Sequence, residues 1–266
     1  MTNEWALKKL FVELGRRIWQ RNYVASNDGN MTVRLNDKEI LTTPTGISKG
    51  FMTTDMIIKI DYDGKVISGN PDYRPSSEVK MHIDVYNERP DINAVVHAHP
   101  PYATSFAVAG IPLDKCVLPE AVIVIGAVPI AKYGLPSTDE LPDNIRPHIK
   151  KNDVILLENH GALTLGPDLL TAYHRMETLE HTANIVSKAI QLGNLGVLPE
   201  AERDRLMTLR DKFNLTGPIT TCDSTPLSSS SYPKVETQKV SFENTSKISD
   251  ETIRQITESV MAKLRK

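Results

Sequence analysis

The sequence predicts an α/β sandwich with a largely antiparallel or mixed central sheet. Short β-prone apolar runs alternate with longer segments of helical apolar spacing, but without the regular rhythm of repeated βαβ units. Neither a Gly-x-Gly-x-x-Gly turn nor a Walker loop is present, so nucleotide-binding doubly wound folds have no support. The chain has 266 residues, 40% apolar and 24% charged, which is ordinary for one sizeable globular core or two small domains. A formal net charge of −2 offers no basic field for nucleic acid. No apolar run approaches the roughly 20 residues that span a bilayer. The opening Met1-Thr-Asn-Glu-Trp5 mixes charge into its apolar pattern, unlike a secretory signal. These features imply a cytoplasmic enzyme with no nucleic-acid or membrane partner. Only Cys116 and Cys222 are present, which excludes a disulfide scaffold and fits a reducing compartment. Neither lies in a Cys-x-x-Cys or beside another candidate ligand, so both are read as non-catalytic.

In chain order, Ala6, Leu10, Leu14 and Ile18 recur at helical spacing and predict a helix over 3–21. Residues 30–41 read as a hairpin, and 56–60 with 65–67 as a second strand pair around Asp61-Tyr-Asp-Gly64. Ser76 or Ser77 can cap a helix running through Glu88, which Pro90 ends. A strand over 93–99 and a helix over 101–109 follow. Val122-Ile-Val-Ile125 and Ala127-Val-Pro-Ile130 have β character. Then come a helix near 138–150, a strand over 153–157, a long helix from about 168 to 191 and a shorter one over 199–213. Composition changes after Gly217: residues 218–247 are rich in Ser, Thr and Pro and read as a linker. Beyond it, Ile253, Ile256, Val260 and Leu264 form one apolar stripe in an amphipathic helix over 248–266. Alone, so short a helix is marginal in water, so it either meets a partner, folds back on its own domain or stays unstructured. The expected domains are a catalytic body over 1–217, the linker and the helix.

The chemistry concentrates in Asn93-Ala-Val-Val-His97-Ala-His99-Pro100. Residues two apart on a strand share a face, so both imidazoles point one way and can grip one transition metal. The same pair also occurs as two unrelated histidines on a half-buried strand. His160 follows a further apolar run and is a candidate third ligand, which would leave a tetrahedral cation one open position. Three loop motifs accompany them: Ser26-Asn-Asp-Gly29-Asn30, Thr43-Pro44-Thr45-Gly46 and Pro75-Ser76-Ser77-Glu78. Backbone N–H groups of the second could form an anion nest, and a helix N-terminus after the third would suit phosphate. Each is equally readable as an ordinary loop or cap. Glu78 reads either as an acid/base beside a metal or as a carboxylate that stabilises a helix dipole.

Taken together, Gly-Asn, Thr-Gly, Ser-Ser-Glu, His-x-His and His-Gly, in this order and spacing over about residues 5–215, resemble the class II sugar-phosphate aldolase and adducin-head family. The resemblance implies a three-layer α/β/α sandwich, usually a fourfold-symmetric homotetramer. It implies one Zn²⁺ per subunit on His97, His99 and His160, with Glu78 as acid/base that also touches the metal. It implies that Gly29, Asn30, Thr45, Gly46, Ser76 and Ser77 hold the substrate phosphate. The implied reaction is cleavage of L-fuculose or L-rhamnulose 1-phosphate to dihydroxyacetone phosphate and lactaldehyde. Alternatives within the family are a 4-epimerase, a decarboxylase or a dehydratase; outside catalysis, an assembly protein. The epimerase branch typically has Ser-Ser-Asp, so Ser76-Ser77-Glu78 favours the aldolase. Glu120 and Tyr133 are candidates for a second acid/base, and read equally as a surface Glu and a packed Tyr. The linker and tail helix resemble the encapsulation peptides of bacterial microcompartment cargo, which implies shell or cargo proteins as partners of residues 248–266.

Overall fold

The computed structural model describes residues 3–213, 215, 217–225, 254, 255 and 257. An eight-stranded sheet runs through the body in the order β4-β3-β2-β1-β5-β8-β7-β6. Its strands are β1 Asn30–Arg34, β2 Ile40–Thr42, β3 Ile58–Ile60, β4 Val66–Ser68, β5 Ala94–Ala98, β6 Ile130–Ala131, β7 Val154–Leu157 and β8 Gly161–Gly166. Every neighbouring pair is antiparallel except β6 with β7. The helices are α1 Glu4–Gln20, α2 Val79–Glu88, α3 Pro101–Ala109, α4 Pro119–Val124, α5 Glu140–Ile149, α6 Leu169–Gln191 and α7 Glu200–Lys212.

Both faces of the sheet are covered, and the alternation along each central strand shows how. Ala94, Val96 and Ala98 of β5 join the core formed with α1, α3 and α6. Val95 joins the opposite core with α2 and α5. Val154 and Leu156 of β7 go one way, Ile155 and Leu157 the other. This is the expected three-layer sandwich. His97 follows Val95 by two residues, so it falls on the α2 side of the sheet.

Helix α2 is fixed to that face by a buried polar chain. Thr32 Oγ1 lies 2.8 Å from His82 Nδ1 and 2.7 Å from the Tyr86 hydroxyl. At the other end of α2, Arg89 reaches Asp153 at 2.9 Å, and the same carboxylate meets Arg175 of α6 at 2.8 Å. Charges this deep need partners, and here three elements are tied through one carboxylate.

Three expectations are corrected, and one strand is added. Residues 122–125 are not strand: α4 covers Pro119–Val124, where Pro119 starts a helix whose Ala121, Val122 and Ile123 are buried. A continuous apolar run does not distinguish a short buried helix from a strand. Strand β8, right after His160, is an element the apolar periodicity did not announce. Cys116 and Cys222 form a disulfide, so the cysteines are a pair that closes a long loop rather than two separate thiols. The linker, expected from 218, starts later. Ala127 N–H donates to the Thr220 carbonyl at 2.9 Å, Cys116 N–H to that of Asp223 at 3.0 Å and Asp223 N–H to that of Asp114 at 2.7 Å. Lys115 also pairs with Asp223. Main-chain bonds and a crosslink hold a segment whose side chains bury little. The compact body extends through 227. Of the expected tail helix, Arg254, Gln255 and Thr257 are described, all helical; the rest of that helix and the linker beyond 225 lie outside the described residues.

His82 supplies an acid-stability prediction. Burial pushes its pKa down to about 4, with the Glu78 charge opposing, and its Nε2 has no partner among the described residues. The folded protein therefore keeps His82 neutral where the unfolded chain, titrating near 6.5, already takes up a proton. Its contribution is intact above pH 6.5 and declines as pH falls towards about 4, by about 3 kcal/mol in all. Urea denaturation across that window is expected to show His82→Gln losing less stability than the wild type. A constant difference between the two proteins would place the acid sensitivity elsewhere.

Candidate active site

The site lies where β5 ends. His97 is the register partner of Asn30 on β1 and of Leu163 on β8, so it sits mid-sheet, fully buried. His99 stands two residues on, just past the strand, held by its N–H to the Tyr23 carbonyl at 2.8 Å. His160 closes the turn between β7 and β8, after Asn159 in the left-handed region at φ 54°. The three rings approach edge-on and tilted, with centroids 4.7 to 5.1 Å apart.

Two glycines make this crowding possible. A Cβ on Gly161 would stand 2.6 Å from the Ala98 carbonyl oxygen and 2.6 Å from the His99 ring. A Cβ on Gly29 would meet Val24 at 2.6 Å and the His97 carbonyl at 3.0 Å, and Gly29 also holds φ +71°. The Gly-Asn and His-Gly motifs thus have a steric cause: chain passes against both sides of the histidine strand.

One nitrogen from each ring falls within 4.8 Å of the other two. His97 Nδ1–H donates to the Ala162 carbonyl at 2.9 Å, which leaves Nε2 with its lone pair turned to the site. That Nε2 lies 3.1 Å from His99 Nε2 and 3.5 Å from Glu78 Oε2. His160 Nε2 lies 3.3 Å from Glu78 Oε1. Asp28 stands 3.4 Å from His99 Nδ1, on the far side of that ring. Burial pushes His97 well below the usual imidazole range and lowers His99 too, favouring the neutral rings that ligate metals. Burial alone would raise the Glu78 carboxyl, but His97, His160 and Asn30 around it hold it well below the usual carboxylate range. Three imidazole nitrogens and a carboxylate converging on one point could hold one divalent cation.

Glu78 reaches the histidines from the boundary of α2. It is the N-cap residue rather than part of the first turn, and Ser76 and Ser77 precede it outside the helix. Ser76 Oγ accepts the Glu78 N–H at 3.3 Å, and Asn30 Nδ2 donates to Glu78 Oε2 at 2.8 Å. Gly29, Asn30, Thr45, Ser76 and Ser77 line one cavity of about 220 Å³ with Glu78, His99 and His160. Gly46 follows Thr45 in the turn at φ +73°. The anion-nest expectation for this loop needs revision: Thr43 N–H already donates to the Met31 carbonyl and Thr45 N–H to that of Arg74. Those bonds fix the loop, and Thr45 can offer a ligand its hydroxyl rather than its amide.

The remaining candidates stand apart. Glu120, exposed in the first turn of α4, lines a separate groove of about 780 Å³ with Arg21, Tyr102 and Glu180. Tyr133 follows β6 at the sheet edge, half exposed, with its N–H on Glu158. Neither lines the histidine cavity of its own chain: α4 packs on α6 and α7, and β6 is the edge strand, three positions from β5. Two charged cavity residues went unassigned in the sequence. Asp28 lies inside the Ser26–Asn30 motif and was legible there; Lys49 sits in a Ser-Lys-Gly turn with no distinguishing signal.

Known proteins share this body. Over residues 9–187 the chain matches the family described as Class II Aldolase and Adducin N-terminal domain. It is 38% identical over 175 residues to the L-fuculose phosphate aldolase of Methanococcus maripaludis, covering 66% of this chain and 93% of that one. It is 31% identical over 184 residues to the 3-oxo-tetronate 4-phosphate decarboxylase of Haemophilus influenzae, covering 68% and 86%. A solved L-fuculose 1-phosphate aldolase superposes with a TM-score of 0.69 at 30% identity, over 78% of this chain and 96% of that one. On fold, motif order and sequence, the chain belongs to the class II aldolase and adducin N-terminal domain family.

Proposed function

We propose that the protein is a zinc-dependent aldolase that cleaves L-fuculose or L-rhamnulose 1-phosphate to dihydroxyacetone phosphate and lactaldehyde. The observation that carries this reading is the convergence of His97, His99, His160 and Glu78 beside a cavity lined by Asn30, Thr45 and Ser76. A nitrogen-rich set with one carboxylate suits Zn²⁺. When bound, the cation supplies Lewis-acid stabilisation of the negative charge that carbon–carbon cleavage leaves on the dihydroxyacetone phosphate half. Glu78 is the acid/base: it returns a proton to carbon on cleavage and removes it in condensation, with Asn30 orienting the carboxylate. Gly29, Asn30, Thr45, Gly46, Ser76 and Ser77 hold the phosphate, a non-reacting group whose binding positions the bond to be broken. A second reading, decarboxylation of a 3-oxo acid phosphate, draws support from the Haemophilus influenzae relative. It would use the same charge-stabilising centre with CO₂ as the departing fragment.

The family resemblance supports a homotetramer, while the Cys116–Cys222 disulfide removes the reducing-compartment argument for a cytoplasmic location. Among the described residues, no helix is long and apolar enough to cross a membrane. The apolar stripe of Ile253, Ile256, Val260 and Leu264 supports a docking role for residues 248–266 on a microcompartment shell or cargo protein.

A coupled assay for dihydroxyacetone phosphate across ketose 1-phosphates, run beside CO₂ release from 3-oxo-tetronate 4-phosphate, separates the two reactions. Glu78→Gln is expected to keep its metal by mass spectrometry while turnover falls about 10²- to 10⁴-fold. His97→Ala is expected to lose metal and turnover together. A Glu78→Gln enzyme of undiminished turnover would remove that residue from the chemistry. Deleting 228–266, beyond the compact body, is expected to leave turnover unchanged and to abolish co-sedimentation with assembled shells.

A further inference from the structure

We infer that Lys49 is the cation by which this site selects a phosphorylated substrate, through direct contact of its ammonium with the phosphate. The inference rests on the phosphate-loop reading above and adds to it the one element those loops lack, a positive charge. Lys49 is 1% exposed, yet it lines the histidine cavity. Among the residues that line that cavity it is the sole lysine or arginine, against the carboxylates of Asp28 and Glu78.

Its position is fixed from two sides. Nζ donates to the Asn27 carbonyl at 2.9 Å and to the Ile47 carbonyl at 2.7 Å, one in each loop that flanks the cavity. The Lys49 backbone lies beneath α1, where a Cβ on Gly15 would stand 2.6 Å from the Lys49 carbonyl oxygen. The side chain is therefore held at the cavity rather than free to reach bulk water.

Both bonds end on neutral carbonyls, and no carboxylate comes within ion-pair distance of Nζ among the described residues. An ammonium has three N–H donors, so one is left over. Burial draws its pKa down to about 8, with Asp28 and Glu78 opposing from a distance, so it is still largely protonated at neutral pH. A buried cation without a counter-ion is costly, and the anion that would relieve it has to come from outside. The hydroxyls of Thr45, Ser76 and Ser77 can donate to phosphate oxygens but cannot offset a dianion approaching two carboxylates. Lys49 can do so, through a charge-assisted hydrogen bond.

The test measures inorganic phosphate binding to the metal-loaded enzyme by calorimetry, together with KM and kcat for the phosphorylated ketose. Lys49→Met removes charge and donors while keeping the apolar stem. Lys49→Gln removes the charge but keeps an N–H donor for the two carbonyls. Both variants are expected to bind phosphate about ten- to a hundredfold more weakly. KM should rise in step, with kcat changed less than about threefold. A Lys49→Gln enzyme within twofold of wild-type phosphate affinity would make Lys49 a loop strut and overturn the inference. Crystals of the wild type with phosphate give a readout that needs no variant. A phosphate oxygen at charge-assisted distance from Nζ supports the contact; one farther than about 5 Å, beyond even a bridging water, overturns it. Wild-type protein that binds no phosphate would sink the phosphate-loop reading and this inference with it. Tight wild-type binding with unaltered variants would sink the inference alone.

Discussion

The tight passage of chain against both flanks of strand β5 is the constraint on which the rest of the site depends. Gly29 and Gly161 lie where any larger residue would strike the main chain of Ala98 or His97. Because they do not, His97 stays in register between β1 and β8, and His99 and His160 arrive at the same point from a strand end and a turn. A Cβ at either place would push apart segments that the sheet holds together, and the three rings would no longer share one centre. The geometry of the histidines is thus a property of backbone packing first and of the imidazoles second.

Around that centre, charge is arranged by depth. A carboxylate enters from the cap of α2, and burial alone would neutralise it; rings on one side and an amide on the other keep it ionised. His97 and His99 are kept neutral by the same burial. Glu78, His97 and His99 are thus in the protonation states that binding a cation requires. Helix α2 delivers the carboxylate, and α2 is in turn held by Thr32, His82 and Tyr86 below and by Arg89 at its far end.

Much of this was legible in the sequence, and the physical reasons divide cleanly. The helices α1, α3, α5, α6 and α7 follow from helical patterning, and the β1–β2 hairpin and the strand β5 from short β-prone apolar runs, β5 being buried on both faces. His97, His99, His160, Glu78, Asn30, Thr45, Ser76 and Ser77 follow from motif order, and the structure brings them to one place. Helix α4 was misread because a six-residue apolar run has no period long enough to identify it. Glu120 and Tyr133 lie between the histidine motifs in the sequence yet do not line the cavity of their own chain, because nearness along the chain does not fix where α4 and β6 pack. Lys49 was invisible because its burial comes from α1 crossing at Gly15, a long-range contact with no local signature. The pairing of Cys116 with Cys222 was hidden for the same reason: 106 residues separate them.

That crosslink has a topological consequence. The covalent ring it closes contains α4, β6, α5, β7, β8, α6 and α7, and His160 with them. A single protease nick anywhere inside the ring would leave the two fragments joined until a thiol reductant opened the bridge. The half of the body that carries the third histidine is therefore tethered to the half that carries the other two by more than its folding contacts.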